Sequence, residues 1–267
     1  MKSKELLLWG KFAKKNKNNP HIDRLLGKYK SKEFISLVRK WLNDLEGKRI
    51  LKTDLREEAF GEDEVLFSLS TGNTQFFALD ISEEITRKAD IQQKKRDLKH
   101  RYITADIREI PFGENAFDIV FSTSTLDHFS SEKDFVKALS ELKRVVRPGG
   151  HLIITINNKC SINFYLLEKL QKLLNLTSYP VQLYSLGELK SIFKKVGLSI
   201  CDSDFNVHII GPVNSLLLLL RKFMDDNFID KIAHGFIVFS YWLDKRKRTR
   251  ILTGWFIALK CAKDLES

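Results

Sequence analysis

Apolar residues recur along this chain in two rhythms. Short β-branched and aromatic runs, Arg49–Leu55, Gln75–Ile81, Tyr102–Ile107, Phe117–Ser122 and His151–Asn157, alternate with stretches whose apolar positions follow helical spacing. The helical stretches are Glu33–Leu45 (Phe34, Leu37, Val38, Trp41, Leu42, Leu45), Phe60–Leu69, Ser82 to about Leu98, and Ser131–Val146. Ser82 is followed by two glutamates and Ser130 or Ser131 by Glu132, the composition of a helix start. Strands alternating with helices predict a parallel sheet, whose ligands bind at the carboxyl ends of the strands. Polar residues crowd those ends here, at Asp106 and from Ser122 to His128.

Beyond Asn157 the pattern changes. Ile162–Leu176 and Ser185–Val196 have helical spacing, Leu198–Asp204 reads as a short strand, and Gly254–Lys263 reads as a final one. Between them, Val213–Leu243 contains LLLLL and IAHGFIVFSYWL, each short of the roughly 18 apolar residues of a membrane span. A chain of 267 residues with 43% hydrophobic content favours one large core. The expected organisation is a basic arm over 1–32, then one α/β domain over 33–267 with helical insertions near 160–180 and 213–245 that form a cap.

Charge adds a second theme. The net charge is +11, and residues 1–50 hold fourteen Lys/Arg against five Asp/Glu. A further cluster, KRKRTR, spans Lys245–Arg250. Such segments favour anionic partners: nucleic acid, acidic lipid headgroups or a phosphorylated substrate. A solvated face that keeps the chain soluble is the competing reading. Cys160, Cys201 and Cys261 lie far apart and the six histidines are scattered, so no metal site is expected and a reducing compartment suits the thiols. LLLWG is too short for a secretory signal core, which points to the cytoplasm.

One long ordered block carries a resemblance. ADIREIPFGENAFDIVFSTSTLDHF, followed by ELKRVVRPGGHLIIT, resembles over Ala105–Thr155 the block ADxxxLPFxxxxFDxVxSxxxLxHF…ELxRVLxPGGxLxxT of class I S-adenosylmethionine-dependent methyltransferases of the small-molecule type. Ile110 stands at the usual Leu and Val146 at the second Leu. With a weaker match over Arg49–Asp80, the resemblance covers about 110 residues. It implies a Rossmann-like, seven-stranded, mostly parallel sheet flanked by helices, with S-adenosylmethionine as cofactor.

The resemblance also implies roles. Asp80 would accept from the ribose hydroxyls, with Ile81 beside it; capping the next helix is its alternative role. Asp106 would accept from the adenine amino group while Ile107 packs near the ring. Ser122 and Thr123 would face the methionine portion. The family's glycine-rich first loop is absent, ILKTDLREEAFG standing at Ile50–Gly61; Asp54 lies where that loop begins and can pair with the cofactor's ammonium. A subgroup pairing a KTD-type first motif with STLDHF is similar here, implying an altered cofactor site.

Methyl transfer from a sulfonium needs alignment, a dry site and sometimes removal of a proton. His128 is the candidate base because imidazole titrates near physiological pH. Asp127 would orient it or bind substrate, and His208 would approach the same opening from the cap. A backbone-bonded, helix-start His128 is the alternative. A dehydrogenase would want G-x-G-x-x-G after the first strand, which is missing. No Pro-Pro-aromatic motif follows the fourth strand, which argues against methylation of DNA base amines and makes nucleic acid an unexpected partner. The expected acceptor is a small, partly apolar and even lipid-like molecule methylated at oxygen or carbon. The Leu-rich cap predicts either a dry lid or a surface that seats on an anionic membrane, and a second overall reading is a non-catalytic relative that binds membrane or protein.

Overall fold

The computed structural model describes residues 22–42, 44–61, 65–70, 72–173, 181–208, 211–246 and 248–263. Most of the expected N-terminal arm, the end of the helix expected to reach Leu176, and one lysine of the KRKRTR cluster lie outside the described residues.

Seven strands form one sheet: β1 (Arg49–Thr53), β2 (Gln75–Asp80), β3 (Arg101–Thr104), β4 (Phe117–Thr123), β5 (Val146–Asn157), β6 (Ser199–His208) and β7 (Gly254–Ala262). Their order is β3-β2-β1-β4-β5-β7-β6. The first five run parallel, and β7 enters antiparallel between β5 and β6. Register aligns the tips: Thr53 stands opposite Leu79 on one side and Ser122 on the other, and Asp80 opposite Thr104. All the carboxyl ends of the parallel strands therefore share one edge, which the amino end of β7 joins.

Alternation along each strand feeds two cores. Leu51, Phe77, Leu79, Val120, Leu152, Ile154 and Ile257 face one side. They pack against Phe135, Ala138, Leu139 and Leu142 of α5 (Glu132–Val145) and Leu189, Ile192 and Phe193 of α7 (Leu186–Val196). Ile50, Phe76, Ala78, Ile119, Phe121, Ile153 and Ala258 face the other. There they meet α1 (Arg24–Trp41), α3 (Val65–Leu69) and α4 (Glu83–Lys94). Strands covered on both faces read as near-continuous apolar runs, which is why they stood out.

Several boundaries move. The first described helix begins at Arg24, so residue 32 falls inside α1 rather than at a domain edge. The expected Phe60–Leu69 helix resolves into α2 (Arg56–Phe60) and α3, and α4 stops at Lys94. Strand β3 ends at Thr104, because Asp106 accepts from the Arg108 backbone in a turn of its own. Strand β6 continues to His208. The Pro-Gly-Gly bend within β5 has Gly149 at φ 71° and Gly150 where a side chain would stand 2.7 Å from the Asp118 carbonyl.

Four further helices complete the chain: α6 (Ile162–Leu173), α8 (Gly211–Leu220), α9 (Asp226–Asp244) and α10 (Arg250–Thr253). A third apolar cluster joins the start of α1 to α8, α9 and Phe256, seating α8 and α9 as a cap beside the ligand edge.

Candidate active site

A cavity of about 890 Å³ opens at the carboxyl edge of the sheet, toward the upper end of the ~300–1,000 Å³ usual for small-molecule sites. Its floor comes from the tips of β1, β2, β4 and β5 and the turn after β3; its roof comes from α1, α6 and α8. One end presents Asp54, Asp80, Ile81, Asp106 and Ile107, and the other Phe164, Val181, Leu183, Trp255 and Phe256.

The polar end is built by the strand tips. Each oxygen of Asp80 accepts one backbone N–H, Oδ2 from Leu55 at 3.1 Å and Oδ1 from Ser82 at 2.8 Å. A carboxylate offers about four acceptor positions, so two remain. Burial, followed by the nearby charge of Asp54, pushes the Asp80 carboxyl up to about 7. Where a glycine-rich loop was missed in the sequence, Asp54 itself takes a left-handed backbone, φ 73°, and its Oδ1 accepts from Arg56 N at 2.8 Å. Beneath this loop lies a fully buried ion pair, Lys52 Nζ to the Glu58 carboxylate at 2.9 Å, with Lys52 also donating to Asp54 O at 2.7 Å. That pair fixes the loop from below.

Asp106 lines the cavity from two residues past β3. Its carboxylate is gripped by the buried Arg108, Nε reaching Oδ1 at 3.0 Å and Nη2 reaching Oδ2 at 2.8 Å. Most of its acceptor capacity is thus committed within the protein. Ile107 is buried and lines the wall, as does Ile81.

At the tip of β4, Ser124 adopts φ 48° and donates its backbone N–H to Thr155 O at 2.9 Å. Two non-glycine residues in the left-handed region, Asp54 and Ser124, thus sit on neighbouring strand tips and line the same cavity. Such clustering is characteristic of ligand sites.

Residues 41–154 match the family model described as a methyltransferase domain. Over these residues the chain is similar to a methyltransferase domain. Malonyl-[acyl-carrier protein] O-methyltransferase of Salmonella typhimurium is 38% identical over 78 residues, 29% of this chain and 28% of that protein. The ubiquinone/menaquinone biosynthesis C-methyltransferase UbiE of Blochmanniella pennsylvanica is 35% identical over 99 residues, 35% of this chain and 37% of that protein. The chain therefore spans about a third or less of the length of these relatives. Among solved structures, the [4+2]-cyclase SpnF shares the fold with a TM-score of 0.59 at 16% identity, covering 87% of this chain and 80% of that one. Domains of the matched class use S-adenosylmethionine, and the residues present suit it: two open acceptor positions on Asp80, apolar side chains at Ile81 and Ile107, and the Asp54 carboxylate for a cationic group.

Placed in this fold, the expected site residues divide. Asp54, Asp80, Ile81, Asp106, Ile107, Thr123 and His128 line the cavity. Ser122, Asp127 and His208 do not. Ser122 is fully buried and its Oγ accepts from Thr53 Oγ1 at 3.0 Å, tying β4 to β1. Asp127 is fully buried: it accepts from Ser124 Oγ at 3.0 Å and from Asn157 N at 3.1 Å, fastening the β4 tip to the end of β5. Burial raises its pKa, and no face of it meets the cavity. His208 is sealed under the cap, Nδ1 bonded to Thr253 Oγ1 at 2.8 Å and Nε2 to Asp244 Oδ1 at 3.3 Å. That bond to His208 is the main cause holding the Asp244 carboxyl below its usual range.

Other lining residues escaped the sequence reading. Asn157 ends β5, is buried, and its Oδ1 finds no hydrogen-bond partner among the described residues. Phe164, Trp255 and Phe256 form the apolar end, Phe164 lying against Trp255 with centroids 4.0 Å apart. Helical or strand spacing marks these as core; their meeting over the strand tips is a product of topology.

Proposed function

We propose that this chain transfers a methyl group from S-adenosylmethionine to a small, partly apolar, lipid-like molecule at oxygen or carbon. The observation that carries the reading is the two-ended cavity, carboxylates and isoleucines at one end and an aromatic, aliphatic wall at the other. When bound, the cofactor supplies an electrophilic methyl on a sulfonium. Asp80 takes the ribose hydroxyls on its two open positions, Ile81 and Ile107 flank the base, and Asp106 contributes what its Arg108 grip leaves. Asp54 and Thr123 meet the charged amino-acid end.

The chain's own contribution to catalysis is orientation, exclusion of water and proton removal. Phe164, Val181, Leu183 and Trp255 hold the acceptor and keep the reacting end dry. His128, half-buried on the cavity wall after β4, takes a proton from the acceptor. Asn157 offers its amide to a polar group on the same molecule.

Calorimetry with S-adenosylhomocysteine tests the cofactor half, with Asp80→Ala as control. Clear binding by the parent chain, lost in the variant, supports the reading; no heat at high concentration overturns it in favour of a non-catalytic binding protein. Incubation with methyl-labelled S-adenosylmethionine and a cell extract tests the acceptor half. Label should pass into organic solvent, and label confined to tRNA or protein would overturn the small-molecule assignment.

A further inference from the structure

The cap carries an apolar surface that the cavity does not use. Helix α9 turns Ile229, Ala233, Ser240 and Leu243 inward. Its opposite face carries Phe228, Val238, Phe239 and Trp242, all between 45 and 65% exposed. These four share one side of a 3.6-residue helix, so they form a stripe rather than a scatter. Phe223, at 79% exposure, precedes the helix, and Ile251 and Leu252 on α10 lie beyond its end. Contiguous exposed apolar area of this kind marks an interaction surface.

Charge decides what covers it. The carboxylates near the stripe gather at its amino end and are engaged within the protein: Asp226 and Asp230 share Arg221 with Asp23, Asp230 also meets Arg24, and Asp225 caps α9. At the far end Asp244 meets Arg250 and His208. Lys231 on the stripe's own face and Lys245, Arg246 and Arg248 past its end are exposed. The rim at the carboxyl end of the stripe is therefore basic, which disfavours a second copy of the same face and favours an anionic surface. At the junction of stripe and rim, Phe239 and Trp242 stack with centroids 5.5 Å apart, and the Arg246 guanidinium lies 3.8 Å over the Trp242 ring. Aromatic rings beside cationic groups at the edge of an apolar face match the headgroup boundary of a bilayer. Among the described residues no helix is long and apolar enough to cross a membrane. The fit is to lying on one.

We propose that the cap docks on an anionic lipid bilayer, burying the outer face of α9 with its basic rim against the headgroups. Tyr165 of α6 lines the cavity and is also 56% exposed, and α8 lines the cavity through Asn214 and Ser215 while exposing Leu216 and Leu219. The docked face thus adjoins the roof of the cavity, and a lipid-dissolved acceptor would reach it without crossing open water. That route rests on the methyl-transfer reading; the docking itself does not.

The test is cosedimentation of the full chain with phosphatidylcholine vesicles, with and without phosphatidylserine, at low and high salt. The chain should pellet with anionic vesicles, far less with neutral ones, and be released by salt. Lys245→Glu/Arg246→Glu/Arg248→Glu should weaken partition by about a hundredfold or more. Phe239→Ser/Trp242→Ser should also abolish pelleting. Thermal melts and S-adenosylhomocysteine affinity, both expected to stay unchanged, establish that these variants fold and keep the cofactor end separate. Equal pelleting with neutral vesicles overturns the proposal. So does absence from both pellets, or a dimer without vesicles that Phe239→Ser/Trp242→Ser disperses.

Discussion

Arg108 closes a forked ion pair on Asp106, reaching the carboxylate with Nε at 3.0 Å and Nη2 at 2.8 Å while a second arm meets Asp134 at 3.2 Å. The guanidinium also lies 5.1 Å over Phe129, another cavity residue. One buried cation therefore sets both the charge and the position of the wall where adenine is expected. Arg108→Met should cost about 3 kcal/mol of stability, because two carboxylates lose their partner away from water. Asp106→Asn should cost less stability and weaken S-adenosylhomocysteine binding about tenfold. Urea denaturation and calorimetry check the pair; unchanged nucleoside affinity in Asp106→Asn would remove Asp106 from the binding set.

Asp80 predicts a pH dependence. Its carboxyl is pushed up to about 7 by burial and by Asp54, whereas an unfolded Asp titrates near 3.8. Between those values the native chain keeps a proton that the unfolded chain has lost, so Asp80's contribution lowers stability as pH rises toward 7. Ribose hydroxyls donate to the ionised form. Nucleoside affinity should hold level above neutrality and fall by up to about tenfold per pH unit below it. Titration calorimetry across that range checks this, and Asp80→Asn should bind weakly with a flat profile.

For His128, the expected signature is a split between binding and turnover. His128→Gln should leave S-adenosylhomocysteine affinity unchanged and lower kcat by about a hundredfold or more if proton removal accompanies transfer. A kcat within a factor of about two of the parent would assign the ring to packing instead. Asn157→Ala should raise KM for the acceptor more than it lowers kcat, as expected of a residue that holds substrate.

His208 tests the opposite expectation. With both ring nitrogens bonded under the cap, it holds β6, α9 and α10 together. His208→Ala should destabilise by about 2 kcal/mol through the partners it strands, measured by urea midpoint, and leave nucleoside affinity intact. Loss of nucleoside binding in a folded variant would contradict that placement.

Most of the sheet was legible because strands covered on both faces must be apolar at nearly every position, as Ile50–Leu51, Phe76–Leu79 and Ile119–Phe121 are. The edge strand β3 was overextended because Ala105 to Ile107 keeps a strand-like composition while Asp106 turns the backbone. Strand-tip residues were found, but which way each pointed was not. Ser122 and Asp127 differ from Thr123 and His128 by one position each, and that single step decides between core and cavity. The roof was illegible for another reason. Lys30, Phe164 and Ser215 come from helices far apart in sequence, and no local pattern records their convergence.

The reversed direction of β7 has a consequence for assembly. Because it runs against its neighbours, Trp255 and Phe256 at its beginning stand beside Asn157 at the finish of β5. The hydrophobic chamber is therefore completed by the strand that joins β6 to the rest of the sheet, while the nucleoside corner draws on β1 to β4 alone. Loosening that strand should erase the acceptor's berth and leave a half-site that still recognises adenosine.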